Sequence, residues 1–459
     1  MGKLLISILI INIAVWAASP DQLVKEGIVL RQAGKLDSAI VKFQEVIKSK
    51  PKHAEANFEL GQTYLEKGDY EPAIKYLQNA LTYGYNPTKT HLTLAKAYRA
   101  GGSRIDATLE YKLVLETNPN NPEIHTLLGD TYLEGGNSTL AEKEYKDALT
   151  IDPQYIPAMI NLANFFQNKR QYEDALALYE KAKVINPNYA PTYLSLGTYY
   201  SSQKLYDKAL VEFTKYTTLL PKDPQGYAKL ADIHSRMKDY TSAINEMHQV
   251  FNYGDTAVGS LKFLRHLYIQ TKQILEEKEA LKQIVAKVPN EVSNWLDLAK
   301  VYTKLDSFQG TIYAYNQALA VDSTILTNII FDLGLAYYQV AKYDSSELIF
   351  SEKIERDSLA TGAYFNRALA RIQLKKYSEA ISDLEKGLKI KPDHVQGHLW
   401  LGQVYAFQGM KQKAKDEFKT VLKLDPKNKV AQKGLDELNK PPPKDYYDYY
   451  PEDDYYPDE

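Results

Sequence analysis

The chain contains no cysteine among its 459 residues. That removes thiol catalysis, disulfide staples, Cys-zinc sites and lipid attachment to a cysteine. Histidine is scarce, with eight in all, and only His394 and His398 sit one helical turn apart. Two ligands without a third nearby rarely make a tight metal site, so no metal and no cofactor is expected. A Gly-rich phosphate loop, a G-x-S-x-G elbow and an H-E-x-x-H pair are all missing, and no enzyme activity is expected. Charge of one sign is missing as well. The formal net charge is −2, which argues against nucleic acid as the main partner. Past the N-terminus there is no apolar run long enough to span a bilayer.

Tyrosine, by contrast, is abundant, at 37 residues. Its placement is periodic. In LGDTYLEGGNSTLAEKEYKDALTIDP, from Leu128 to Pro153, Leu128, Gly129 and Tyr132 share a face with His125 on a first helix. Gly135-Gly136-Asn137 breaks that helix. Ala141, Tyr145 and Ala148 line a second helix, and Pro153 closes the unit. The same chemistry returns 34 residues later as Leu162, Ala163, Phe166, Ala175, Tyr179, Ala182 and Pro187. Units start near Pro20, Ala54, Thr88, Pro122, Ile156, Ala190, Pro224, Val258 and Val292. One extra residue enters between Ser323 and Thr327, and the register resumes at Thr327, Thr361 and Val395.

The pattern L-G-x2-Y…A-x3-F/Y…P at this period resembles the tetratricopeptide repeat, over twelve units from Pro20 to Pro426. The resemblance implies an all-α, right-handed superhelix of helix-turn-helix repeats, a solenoid that binds proteins or peptides in a concave groove lined by the first helices. Small residues on the first helix (Gly61, Ala95, Gly129) face small residues on the second (Ala73, Ala107, Ala141), which lets the two approach closely. Two units depart from the pattern. Arg265 and Glu277 take both small slots of the unit from Val258, and Arg367 stands where leucine is usual. Such charges are expected to loosen packing locally. The irregular unit reads either as a slightly altered repeat or as a bend between repeats 1–7 (residues 20–257) and repeats 8–12 (residues 258–426).

The ends read differently. In MGKLLISILIINIAVWAASPDQ a lysine precedes a short apolar stretch and two small residues. It resembles a secretory signal peptide over residues 1–18, cleaved near Ala17 or Ala18, with an uncleaved anchor as the alternative. An exported protein of the periplasm, cell envelope or outside is expected, with no membrane span after cleavage. Residues 427–440 form an amphipathic segment that would cap the array. Residues 441–459 read as a disordered acidic tail; from Lys444 onward they hold seven acids, one lysine and six tyrosines, net −6.

The groove stripe lies beside the packing stripe. It is polar in repeats 4 to 7, with Thr126, Asp130, Asn164, Gln167, Thr198, Ser201, Asp232 and Ser235. Near the C-terminus it turns apolar, with Phe331, Leu335 and Tyr338, then Phe365, Leu369 and Ile372, then Leu399, Ala406 and Phe407. A contiguous apolar strip facing solvent would be a partner site; packed between first helices, the same strip would be core. Chaperone-binding members of the family carry a carboxylate clamp. Around Asn161 and Asn366, its candidate centres, the required lysine and asparagine are replaced by Thr126 and Asp130 or by Phe331 and Leu335. The expected role is a protein-binding scaffold or adaptor in envelope assembly, with a self-assembling structural solenoid as the alternative.

Overall fold

The computed structural model describes residues 19–439. The expected signal segment, residues 1–18, and the acidic tail, residues 441–459, lie outside the described residues. Among the described residues there are 25 α-helices, one short 3-10 turn and no strand. The helices form twelve pairs followed by a single last helix, Lys429–Asn439. First helices begin at Pro20, Ala54, Pro87, Pro122, Ile156 and so on to Val395. The inserted residue appears as the 3-10 turn Ser323–Ile325, after which the first helix of repeat 10 starts at Leu326.

Local chemistry sets these boundaries. Ser19, Asn86 and Asn121 accept backbone N–H bonds as N-caps, each before a proline in the first turn. The turn inside every repeat needs one left-handed residue, fifteenth from the repeat's start. Gly34, Gly68, Gly102, Gly136 and Gly409 supply it in five repeats. Arg170, Lys204, Lys238, Lys272, Asp306, Ala341 and Lys375 supply it in seven, at φ between 51° and 64°. Side chains there work against an L-residue's preference.

Packing within a pair turns on the small first-helix residue. A Cβ on Gly129 would lie 2.6 Å from the Tyr145 ring, and one on Gly197 would lie 2.6 Å from Phe213. The two departures from the pattern do not leave charges stranded, contrary to expectation. Arg265 and Glu277 pair with each other at 3.4 Å, and Arg265 reaches Asp297 at 2.8 Å. Arg367 and Arg371 both bind Asp383, which is 1% exposed, at 2.6 Å each. Each charge gains an opposite one at the moment it leaves water, so the slot stays filled.

Contacts divide the chain into two compact bodies, one ending at Ile233 and the other beginning at His234. The irregular repeat from Val258 lies inside the second body. Within each body, first helices of neighbouring repeats approach one another, as in repeats 4, 5 and 6 or repeats 10 and 11, more closely than second helices do. The first helices therefore line the inner face of each stack. The last helix covers repeat 12: Ala431 is fully buried, and Leu435 and Leu438 pack on the core around Phe418.

Candidate functional site

The apolar strip near the C-terminus is mostly core. Phe365 is 1% exposed, stacks on the His394 ring at 4.3 Å and meets Trp400 edge-on at 6.1 Å. Leu335, Leu369 and Leu399 are buried as well. Phe331 is half-buried and meets Phe350 edge-on at 5.5 Å, while Tyr338 and Ile372 are half-buried against the last core. Phe407 alone is open, at 39%, beside Tyr377. The physical reason is the close approach of first helices: side chains expected to face a groove interleave with the next repeat instead. Ala406 is half-buried on the same core, so the strip does not form one open surface.

The histidines serve the repeat. His394 accepts the Gly397 N–H as a helix cap, and burial lowers its pKa. His398 points elsewhere, with Nδ1 2.6 Å from Glu417 and Nε2 2.9 Å from the Pro392 carbonyl. His125 repeats this arrangement with Glu144 at 2.7 Å and the Pro119 carbonyl at 3.1 Å. His125, Glu144 and Asp147 bring possible ligand atoms within 4.8 Å of one another, but Lys143 pairs with Asp147 at 2.7 Å. The recurrence of the histidine-glutamate bond, seen again at His91 and Glu110, marks it as a packing device.

A different constellation lies on the inner face of repeats 3 to 6. Its base is the aromatic slot of the second helix, which holds tyrosine in three successive repeats: Tyr111, Tyr145 and Tyr179. All three rings are buried. The hydroxyls pass through the helix pair and emerge among the first-helix polar residues. Tyr145 donates to Asp130 at 2.8 Å, and Asn161 Nδ2 donates to the same oxygen at 2.7 Å. Tyr179 Oη lies 2.6 Å from Asn164 Oδ1. Gln167 reaches Ser202 of the next repeat at 3.3 Å. Arg99 closes the row, with Glu134 at 2.7 Å and Asp130 at 3.5 Å. Tyr111 Oη sits beside Arg99 without a well-formed hydrogen bond, and burial pushes its pKa up to about 12.

Electrostatically this is a half-desolvated floor. Burial raises the Asp130 pKa, while Tyr145, Arg99 and Asn161 pull it back. The floor stays reachable: the Arg99, Asp130 and Glu134 side chains are 26%, 22% and 38% exposed. It offers donors and acceptors in alternation along neighbouring first helices, which suits the amide groups of an extended chain. Sequence reading noted the polar stripe through Asp130, Asn164 and Gln167 but missed Arg99 and the tyrosines. The available signal was tyrosine, where phenylalanine would pack as well, in three consecutive repeats. The clamp candidates are engaged otherwise: Asn161 binds Asp130, and Asn366 is buried and donates to the Gly362 carbonyl at 2.9 Å.

A separate cavity of about 620 Å³ opens at the irregular repeat, lined among others by His248, Phe251, Leu261, Tyr268 and Gln283.

Comparison with known proteins agrees with this architecture. Tetratricopeptide-repeat family profiles match residues 30–97, 110–143, 158–188, 363–409 and 395–428. The chain is a tetratricopeptide-repeat protein. Among curated proteins it is similar to sperm-associated antigen 1 of Rattus norvegicus, 28% identical over 32% of this chain and 16% of that one. It is also similar to the Hsp70-Hsp90 organizing protein of Triticum aestivum, 29% identical over 23% of this chain and 18% of that one. The chain thus matches less than a fifth of the length of either relative. Among solved structures, a tetratricopeptide repeat protein from Parabacteroides merdae aligns with 54% of this chain and 98% of its own, at 16% identity and a TM-score of 0.46.

Proposed function

We propose that the protein works by binding other proteins, seating an extended segment of a partner on the inner face of repeats 3 to 6. Asp130 carries this reading. Its carboxylate is held by Tyr145 and Asn161 from two repeats and still meets solvent, so it can accept from a partner N–H without rearranging. A floor fixed in advance loses little entropy on binding. The family's use of such surfaces supports the same reading, as does a relative named for organizing two other proteins. Changing Asn161 and Asn164 to leucine keeps the helices and removes two of the amides. Partners captured by in-cell crosslinking of the tagged protein should then be lost at unchanged melting. Retention of the same partners by the double variant refutes the seat.

The wider role we propose is a scaffold or adaptor of a bacterial cell envelope, reached by export. It rests on the N-terminal Lys3, the apolar stretch and the small residues after it, together with the absence of cysteine. Mass analysis of the protein from its native host should find an N-terminus just after Ala17 or Ala18. An intact Met1 in a protein recovered without membrane contradicts export.

A further inference from the structure

The second helix of repeat 12, Lys411–Leu424, differs in charge from the others. Eight second helices carry an acid in the first turn, the favourable sign at that end. This one has Lys411 and Lys413 there, no acid, and Met410 as an N-cap without a side-chain bond. Lys411, Lys415, Lys419 and Lys423 fall at every fourth residue and form a ladder along one side, drifting by roughly 40° per step. Like charges at this spacing repel. Three of the four are exposed, Lys415 is half-buried, and none is ion-paired with an acid of the described residues. The helix's own acids are engaged elsewhere: Glu417 with His398, Asp416 with Gln412. Lys427 and Lys429 extend the patch. From residue 411 to 429 there are seven lysines and three acids, 7 − 3 = +4.

We infer that the ladder is the docking surface for the chain's own acidic segment, residues 444–459. Three observations select this occupant. The first is charge: the segment carries −6 against the patch's +4. The second is position. The last helix, Lys429–Asn439, follows after a short loop and packs against the ladder's helix. A short connection makes the two antiparallel, so the chain leaves the last helix beside Lys411, where the ladder begins. In sequence only Lys440, Pro441, Pro442 and Pro443 separate that helix from the segment. The ladder's helix is ~21 Å long, which six or seven extended residues cover. The third is the alternation of Asp or Glu with tyrosine pairs, which offers each lysine a carboxylate and a ring face. The protein already uses the second contact next door, with Lys413 over the Tyr405 ring at 5.1 Å. The docked segment neutralises the ladder and covers this end of the array against other anionic partners.

Zero-length carbodiimide crosslinking of the full chain at low salt tests this, followed by peptide mapping. Acids of residues 445–459 should join Lys411, Lys415, Lys419 or Lys423. In a mixture of heavy- and light-isotope chains the joined peptides should come from one chain. The links should fade at ~1 M salt, where the screening length is ~3 Å. They should also be lost in the Lys415→Glu, Lys419→Glu, Lys423→Glu variant, whose melting is checked alongside. The proposal is overturned if the segment's acids link only to other lysines or to none while other surface links form. Mixed-isotope pairs overturn it in favour of a second copy. An unprotected ladder that reacts equally with a lysine-acylating reagent in the full chain and in one ending at Lys440 also overturns it, and leaves the ladder to an external polyanion.

Discussion

Arg265 and Glu277 meet at 3.4 Å in the two positions where flanking repeats place Ala231 with Ala243 and Ala299 with Thr311. A pair of small residues has been exchanged for a pair of opposite charges. Arg265 Nη2 donates a long hydrogen bond of 3.4 Å to Glu277 Oε1, while Arg265 Nε has no hydrogen-bond partner among the described residues. Glu277→Ala should destabilise by ~1–3 kcal/mol by leaving a half-buried guanidinium with Asp297 alone. Arg265→Ala combined with Glu277→Ala should recover most of that loss, because it restores the small pair. A double-mutant cycle by denaturant unfolding gives the coupling. Additive single effects would contradict a mutual pair.

Phe365 and Phe407 were indistinguishable as groove candidates in sequence, yet one is core and the other is open. Phe365→Asp buries an unpaired carboxylate among His394 and Trp400 and should cost ~3 kcal/mol or more. Phe407→Asp should change stability by less than ~0.5 kcal/mol. Melting curves of the two variants, compared with the parent, check both.

The left-handed turn residues give a stabilisation that touches no contact. Ala341 sits at φ 56°, where five other repeats have glycine. Ala341→Gly should stabilise by ~1 kcal/mol, and Gly136→Ala at the equivalent turn should destabilise by a similar amount. Equal melting of all three proteins would mean the turn strain is absorbed elsewhere.

His125 and His398 each face an acceptor at both ring nitrogens, and their glutamate partners raise their pKa. A raised pKa means the folded protein holds the proton more tightly than the unfolded chain. This contribution is full below the ordinary histidine value of about 6.5 and is lost as pH climbs through the raised one. His394 is shifted the other way by burial, so it costs stability as pH falls below the ordinary value. As pH rises above ~6.5, the parent should lose more stability than the His125→Gln, His398→Gln variant. Parallel curves for the two would contradict the assignment.

The fold was readable because most repeats restate the same rules: a small residue facing an aromatic, and a closing proline. The extra residue near Ser323 was visible as a break in register and became a 3-10 turn. What sequence could not give was the spacing between neighbouring first helices. That distance decides whether residue five of a helix is groove or core, and it placed Phe365 inside. Nor does a string of letters show that Tyr145 crosses its helix pair to reach Asp130, fifteen residues earlier. Charges in small slots looked disruptive because Arg265 and Glu277 were read singly rather than as partners.

The proposed seat for a protein partner is the inner face of repeats 3 to 6. A photo-crosslinking residue can be placed singly at Lys96 or Thr198, exposed positions of first helices on that face. For comparison it can be placed at Val184 or Val211, which are 80% and 65% exposed on second helices. After irradiation in the native host, the same adduct should form from both inner positions and from neither outer one. The Asn161→Leu, Asn164→Leu background should abolish it. Adducts from Val184 or Val211 alone, or from the inner positions regardless of the two asparagines, would contradict the claim.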